Sequence, residues 1–242
     1  MNNWNENYTN GYSTAVQAEN EATLQRYVAG VMRKVFGKMA LGLLLTALTS
    51  FLVLSSTTVM SFFVASSLTY LLLFVAELGL VIYLSARIDK LSTTTAAILF
   101  YAYSILNGVV LSPIFLIYTG SSIATTFAIT AGTFGAMAIF GYVTRQDLSK
   151  IGSFLYMALL GLIVCIVVNL FMHNTMMDLL ISCAGVLIFV GLTAWDTQAI
   201  KRMCAEADPS MTGKVATMGA LTLYLDFINL FIYLLRIFGS RD

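Results

Sequence analysis

The sequence predicts an all-α, polytopic membrane protein, a transmembrane bundle of about seven helices, and three observations carry that expectation. Of 242 residues, 59% are hydrophobic and only 10% are charged, too little charge to clothe a water-soluble domain of this length. The apolar residues gather into seven runs, each close to the ~20 residues that cross ~30 Å of hydrocarbon. The connections between the runs are short and hydrophilic, which leaves no room for a separate folded domain. Backbone hydrogen bonding in lipid permits helices or a closed barrel, and long continuous runs are unlike the alternating ~10-residue strands of a barrel.

The elements follow in order. Residues 1–22 are polar and Asn-rich and lack the basic start and apolar middle of a signal peptide. They read as an uncleaved, disordered N-terminal arm. From residue 23 the transmembrane domain begins: Leu24, Tyr27, Val28, Val31, Val35 and Met39 recur at helical spacing while Arg26, Arg33 and Lys34 fall elsewhere around the turn, so an interfacial helix is expected over about 24–38. Spans are expected at about 39–55, 62–85, 95–118, 122–143, 153–172, 177–196 and 218–238. Ala128, Gly132 and Ala136 place small residues four apart in span four, a spacing expected for close helix packing. In span three, Pro113 removes a backbone donor after Asn107 and Ser112, which predicts a kink.

Charge sets the topology. Of 13 Lys and Arg residues, all but Arg236 and Arg241 fall before span one or in the connections after spans two, four and six. The connections after spans one, three and five carry none. That asymmetry predicts a multi-pass protein with its N terminus in the cytoplasm, in a bacterial inner membrane, although an endoplasmic reticulum membrane fits the same pattern. The two C-terminal arginines leave two readings open: a short tail that breaks the statistical rule, or a last helix that does not cross in the ordinary way. A net charge of +1 gives no field suited to nucleic acid, and the bilayer itself is the expected partner. Cys165, Cys183 and Cys204 show neither metal-ligand nor disulfide spacing and read as packing residues. His173 stands alone in a short loop, and no cofactor is expected.

Ionisable groups inside the spans carry the functional reading, because each costs about 2.5 to 3.5 kcal/mol at a helix centre and normally faces the bundle interior. Glu77, Asp196 and Asp226 stand out. At 100° per residue, Asp178, Ser182, Gly185, Phe189, Thr193 and Asp196 share one face of span six. Gly219, Thr222, Asp226, Asn229 and Tyr233 form a comparable stripe on span seven. Such stripes fit either helix packing or the lining of a polar pathway.

The run Ala194-Trp195-Asp196-Thr197-Gln198, followed by Leu223-Tyr224-Leu225-Asp226-Phe227-Ile228-Asn229-Leu230-Phe231, resembles the C-terminal signature of the Bax inhibitor-1 family. The similarity extends over essentially all seven spans, including Arg87 and the stretch from Asn107 to Pro113. Bacterial members are pH-sensitive calcium leak channels in which two aspartates on helices six and seven sense protonation and an arginine on helix two pairs with them. The resemblance implies that Asp196 and Asp226 are the sensor and the oxygen ligands for Ca²⁺, with Arg87 as the cation. Glu77, Asn107, Thr193, Thr222 and Asn229 would line the pathway. For the aspartates to meet, helix seven has to begin before the bilayer and enter it near Met218, because Asp226 lies about 18 Å along a helix from Lys214 and Asp196 only about 7 to 8 Å from Lys201.

Two other classes come into view. Intramembrane proteases also place aspartates on adjacent helices, but they carry Gly-x-Gly-Asp, whereas Leu223, Tyr224 and Leu225 precede Asp226 here; no enzyme is expected. The alternative is a membrane-embedded interaction protein, since relatives modulate membrane proteases and stress or cell-death responses. Its natural element would be the arm with Trp4, Tyr8 and Tyr12, offered to a membrane-protein partner.

Overall fold

A computed structural model of the protein describes residues 3–56 and 67–240, with side chains at 17 and over 19–56, 68–88 and 90–240. Seven long helices account for the fold: α1 (Asn3–Ser55), α2 (Ser67–Arg87), α3 (Thr93–Leu111), α4 (Gly120–Val143), α5 (Ser149–Met172), α6 (Thr175–Glu206) and α7 (Thr212–Phe238). Each contains a stretch long and apolar enough to cross a membrane, and no strand occurs among the described residues. The side chains of Trp4, Tyr8 and Tyr12, and the expected start of span two over 62–66, lie outside the described residues.

Helix ends are set by local chemistry. Ser92 and Thr119 cap α3 and α4 by accepting from Thr95 N at 3.0 Å and Ser122 N at 3.2 Å, which satisfies otherwise orphaned amides. Between α5 and α6 the chain turns at His173, which takes a left-handed conformation (φ 50) as the C-cap of α5. Asn174 then caps α6 by accepting from Met176 N and Met177 N. Pro113 ends α3 instead of kinking it: the Val109 carbonyl accepts from Ser112 N at 3.2 Å and from Ser112 Oγ at 2.7 Å, and a single helical turn, Ile114–Ile117, follows.

The bundle is organised around α7, whose apolar stretch is 72% buried against 11% for α2 and for α5. Helices α1, α3, α4 and α6 surround it, the contact with α6 being the most extensive; α5 packs on α6 and α2 on α3. Helix α1 runs unbroken through the segment expected as an arm and an interfacial helix. Val28, Val31, Met32 and Val35 are core residues, and Tyr27 Oη meets Thr212 Oγ1 at 2.6 Å. The interior claims them because α7 starts early and needs cover along its first turns.

Helices α6 and α7 extend past the expected spans, so only Ala207–Met211 connects them and the run from Met203 to Lys214 is mostly helix. Helix α7 begins beside the start of α3, where Gly213 abuts Thr93. It finishes beside the start of α4, where Ser240 N donates to Ser122 Oγ at 3.0 Å and Ser240 O accepts from Thr119 N at 3.2 Å. The last helix therefore traverses the whole bundle, and Arg236 sits at the end that holds the uncharged connections.

Close approach depends on a few glycines. A Cβ on Gly141 of α4 would collide with the Ala194 carbonyl of α6, and one on Gly185 of α6 would come within 2.6 Å of the Tyr233 ring of α7. Ala128, Gly132 and Ala136 do not serve this purpose: they face outward, and α4 packs instead through Thr126, Thr130, Phe134, Ala138 and Gly141. The small residues at four-residue spacing lie on the wrong side of the helix for α6 and α7. Because backbone cannot yield as a side chain can, Gly141→Ala is expected to destabilise the fold by about 1 to 3 kcal/mol, read as a lower thermal midpoint in detergent, whereas Gly132→Ala, with open space around it, is expected to leave the midpoint unchanged.

Candidate functional site

The α6–α7 contact brings the two predicted aspartates together. Gly185 faces Tyr233 and Ile200 faces Gly219 across the antiparallel pair, so Asp196 falls opposite Leu223 and Asp226 opposite Thr193, an offset of less than one turn. The carboxyl groups lie within hydrogen-bonding reach of each other. Both are buried, at 5% and 4% exposure. Tyr156 of α5 is near enough to feel the charge of both, and its ring stands edge-on to Trp195 at 5.3 Å.

The predicted cation is elsewhere. Arg87 is exposed at the end of α2, and the one ion pair among the described residues joins Arg202 to Asp147. Helix α2 packs on α3, and Arg87 forms no ion pair with Asp196 or Asp226.

Glu77, the third intramembrane carboxyl, is buried against α3, where it hydrogen-bonds to the side chains of Tyr103 and Asn107. Asn107 Nδ2 donates to Tyr103 Oη at 3.3 Å. Tyr103 in turn meets Tyr224 of α7 ring edge to ring face at 5.8 Å. The Tyr224 hydroxyl shares a 2.6 Å hydrogen bond with Thr46 Oγ1, which donates to the Ser104 carbonyl at 2.8 Å. A second polar cluster thus lies on the opposite face of α7. Two buried side-chain atoms among the described residues have no partner, Asp226 Oδ2 and Asn107 Oδ1; both are oxygens, and one belongs to each cluster.

Other expected lining residues are less available. Thr193, Thr222 and Asn229 each spend a side-chain donor on a carbonyl four residues back in the same helix. Sequence reasoning passed over Tyr103, Tyr156 and Tyr224, although Tyr103 stands four residues before Asn107 on the same helix face and Tyr224 lies inside the quoted signature. A larger cleft, about 930 Å³, opens at the end of the bundle near His173 and is lined in part by Asn169, Asp178, Ser182 and Arg236. The stacked rings of Phe189 and Tyr233, 5.9 Å apart, lie further in. About two more turns, ~10 Å of helix, separate those rings from the aspartates. No group of three or more His, Cys, Asp or Glu residues gathers among the described residues.

These features define a class: a seven-helix membrane protein with a buried carboxyl pair on its two most closely packed helices. The profile of the family described as inhibitor of apoptosis-promoting Bax1 matches residues 28–242. An inner membrane protein of Escherichia coli, YbhL, is 47% identical over 91% of this chain and 94% of its own length. Uncharacterized proteins of Borreliella burgdorferi and Rickettsia prowazekii are 44% and 42% identical over 87% and 90% of this chain, and 91% of their own length in each case. The chain belongs to the Bax inhibitor-1 family.

Outside the spans, Asp147 closes the α4–α5 connection. Hydrogen bonds from the Ser149 side chain and amide, followed by Arg202, hold its carboxyl down to about 2. A carboxyl depressed from its unfolded value of about 3.9 contributes stability that is complete above that value and is lost as pH falls through about 2. The Asp147–Arg202 pair therefore stays charged at every physiological pH, and the difference in thermal midpoint between Asp147→Asn and wild type is expected to stay constant across about pH 6 to 8.

Proposed function

We propose that the protein is a pH-sensitive calcium leak channel in which the Asp196–Asp226 pair is both sensor and gate. The observation that carries this reading is the buried pair itself: Asp196 and Asp226 face each other on α6 and α7 at 5% and 4% exposure, and Asp226 Oδ2 has no hydrogen-bond partner among the described residues. An orphaned buried acceptor costs about 1 to 3 kcal/mol, and a passing hard cation is a partner that offsets the cost. The burial of two facing carboxyls in an apolar bundle supports the same reading, because a change in their charge has to be met by a counter-charge brought from elsewhere in the protein.

The proposed cycle uses Arg87. When both aspartates are ionised, they repel each other and attract the arginine, which draws α2 toward the pair. Adding one proton replaces that attraction with the carboxyl-to-carboxyl hydrogen bond and releases α2. Ca²⁺, the cargo, would pass from the outer cleft beyond Phe189 and Tyr233 and meet the ionised oxygens of the pair; Glu77 and Asn107, on the opposite face of α7, stand off this route. We place the protein in the inner membrane with its N terminus in the cytoplasm, a placement supported by the name of the Escherichia coli relative and by the one-sided distribution of Lys and Arg. No catalytic role is assigned to either aspartate.

Ca²⁺ flux into indicator-loaded liposomes tests this reading. Wild type is expected to leak with a dependence on pH across about pH 6 to 8, and Asp196→Asn and Asp226→Asn should each flatten that dependence. Arg87→Gln should uncouple flux from pH while leaving the carboxyl pair in place. Absence of flux, or flux indifferent to all three substitutions, overturns the channel and makes a membrane-embedded interaction protein the better account.

A further inference from the structure

A smaller cleft, about 330 Å³, opens between the α4–α5 connection and the last turns of α6, at the end of the bundle that carries the basic connections. Arg145, Lys201 and Arg202 line it together with Asp147 and Gln198, three cations against one carboxylate. That carboxylate is already engaged, at 2.7 Å from Arg202 Nη2 and 3.1 Å from Ser149 N. Lys201 donates one proton to the Tyr142 carbonyl at 2.7 Å, which leaves two of its three N–H groups available. Arg145 is exposed, and no hydrogen bond or ion pair occupies its guanidinium among the described residues.

The floor of the cleft is fixed by Gln198. Its Oε1 accepts from Leu148 N at 3.0 Å and from Arg202 Nη2, while its Nε2 donates to the Gln146 carbonyl at 2.8 Å. The connection is thereby clamped to α6, and the cationic groups project from a rigid base. Directly beside these charges the surface turns apolar. Ile139, Phe140 and Val143 of α4 are exposed, as is Met203 of α6. An aromatic residue of the kind that sits at a membrane boundary stands at the same level: Tyr142, over whose ring Lys201 Nζ lies at 4.8 Å.

A cationic cleft opening onto an apolar ridge matches an amphiphile that carries its negative charge at the boundary. A free anion would use the charges and have no use for the ridge, and an uncharged lipid would do the reverse. We propose that this cleft binds the phosphodiester headgroup of an anionic phospholipid from the adjoining leaflet, with Arg145 and Lys201 donating to phosphate oxygens and acyl chains lying along Val143 and Met203. Arg202 is a positioning residue here, since its guanidinium is spent on Asp147, Ser149 and Gln198.

Native mass spectrometry of the purified full chain, offered phosphatidylglycerol and phosphatidylcholine with identical acyl chains, tests the assignment. Wild type is expected to retain phosphatidylglycerol about tenfold more strongly, equivalent to about 1.4 kcal/mol. Arg145→Gln and Lys201→Gln should each reduce that preference severalfold, and Arg145→Lys should keep most of it. Unchanged preference in the glutamine variants overturns the proposal. So does displacement of the lipid by millimolar inorganic phosphate, which would mark a site for a soluble anion. Should Lys201→Gln fail to fold, Arg145→Gln and Arg145→Glu decide the matter, because Arg145 makes no hydrogen bond or ion pair to any described residue.

Discussion

The close antiparallel contact of α6 with α7 fixes where both aspartates stand, and it depends on what is missing from the side chains at the seam. Gly185 lets the Tyr233 ring lie flat on the α6 backbone, and Gly219 admits Ile200 and Val35. With those two positions setting the register, Asp196 and Asp226 have little freedom to avoid each other. Helix α4 presses on the opposite side of α6 through Gly141, and α5 through Gly152 and its contact with Trp195. The carboxyl pair is therefore held by backbone packing, which changes little with protonation, and the proton itself decides only how the two groups interact.

Lipid makes this arrangement stringent. An unsatisfied polar group in hydrocarbon costs several kcal/mol, and the bundle shows how thoroughly that cost is avoided elsewhere: Thr46, Ser50, Ser104, Thr130, Ser182 and Thr197 all bond to carbonyls within the protein. Against that background the two orphaned oxygens are exceptions that need a reason, and both occur beside buried carboxyls. Packing alone would have favoured an apolar residue at either position.

Hydropathy made the seven spans readable because crossing hydrocarbon imposes a length and a composition on each segment. The carboxyl pair was readable from the spacing of polar residues on spans six and seven together with the quoted signature. What sequence could not supply was depth. The α6–α7 connection looked long because MCAEADPSMTGK is polar, yet a polar helix end beyond the bilayer is still helix, and both helices extend into it. For the same reason Val28, Val31 and Val35 read as an interfacial face when they cover the first turns of α7. The small residues of α4 show the converse limit: spacing reveals that a smooth face exists, but not which neighbour, if any, lies against it. Arg87 illustrates a further gap, since a resemblance transfers a partner by motif whereas its contact depends on which conformation the bundle occupies.

The two polar clusters together constrain how a signal could leave the carboxyl pair. Tyr224 and Asp226 are two residues apart, about 200° around the helix, so α7 is tied on one face to α6 through the aspartates and on the other to α1 and α3 through the Tyr224 hydroxyl and ring. Sliding or rotating α7 to follow a change in charge would break the Thr46 hydrogen bond, the contacts with Phe100 and Tyr103, and the fit against Gly185 and Gly219. Helix α2 carries no comparable obligation. It is the least buried span together with α5, it packs on α3, and its polar ties are the Tyr70 hydroxyl donating to the Val110 carbonyl and the group of Glu77, Tyr103 and Asn107. On the channel reading, a proton added at the pair would act through the helix that costs least to move, and the Glu77 cluster would be the hinge or catch against which α2 moves.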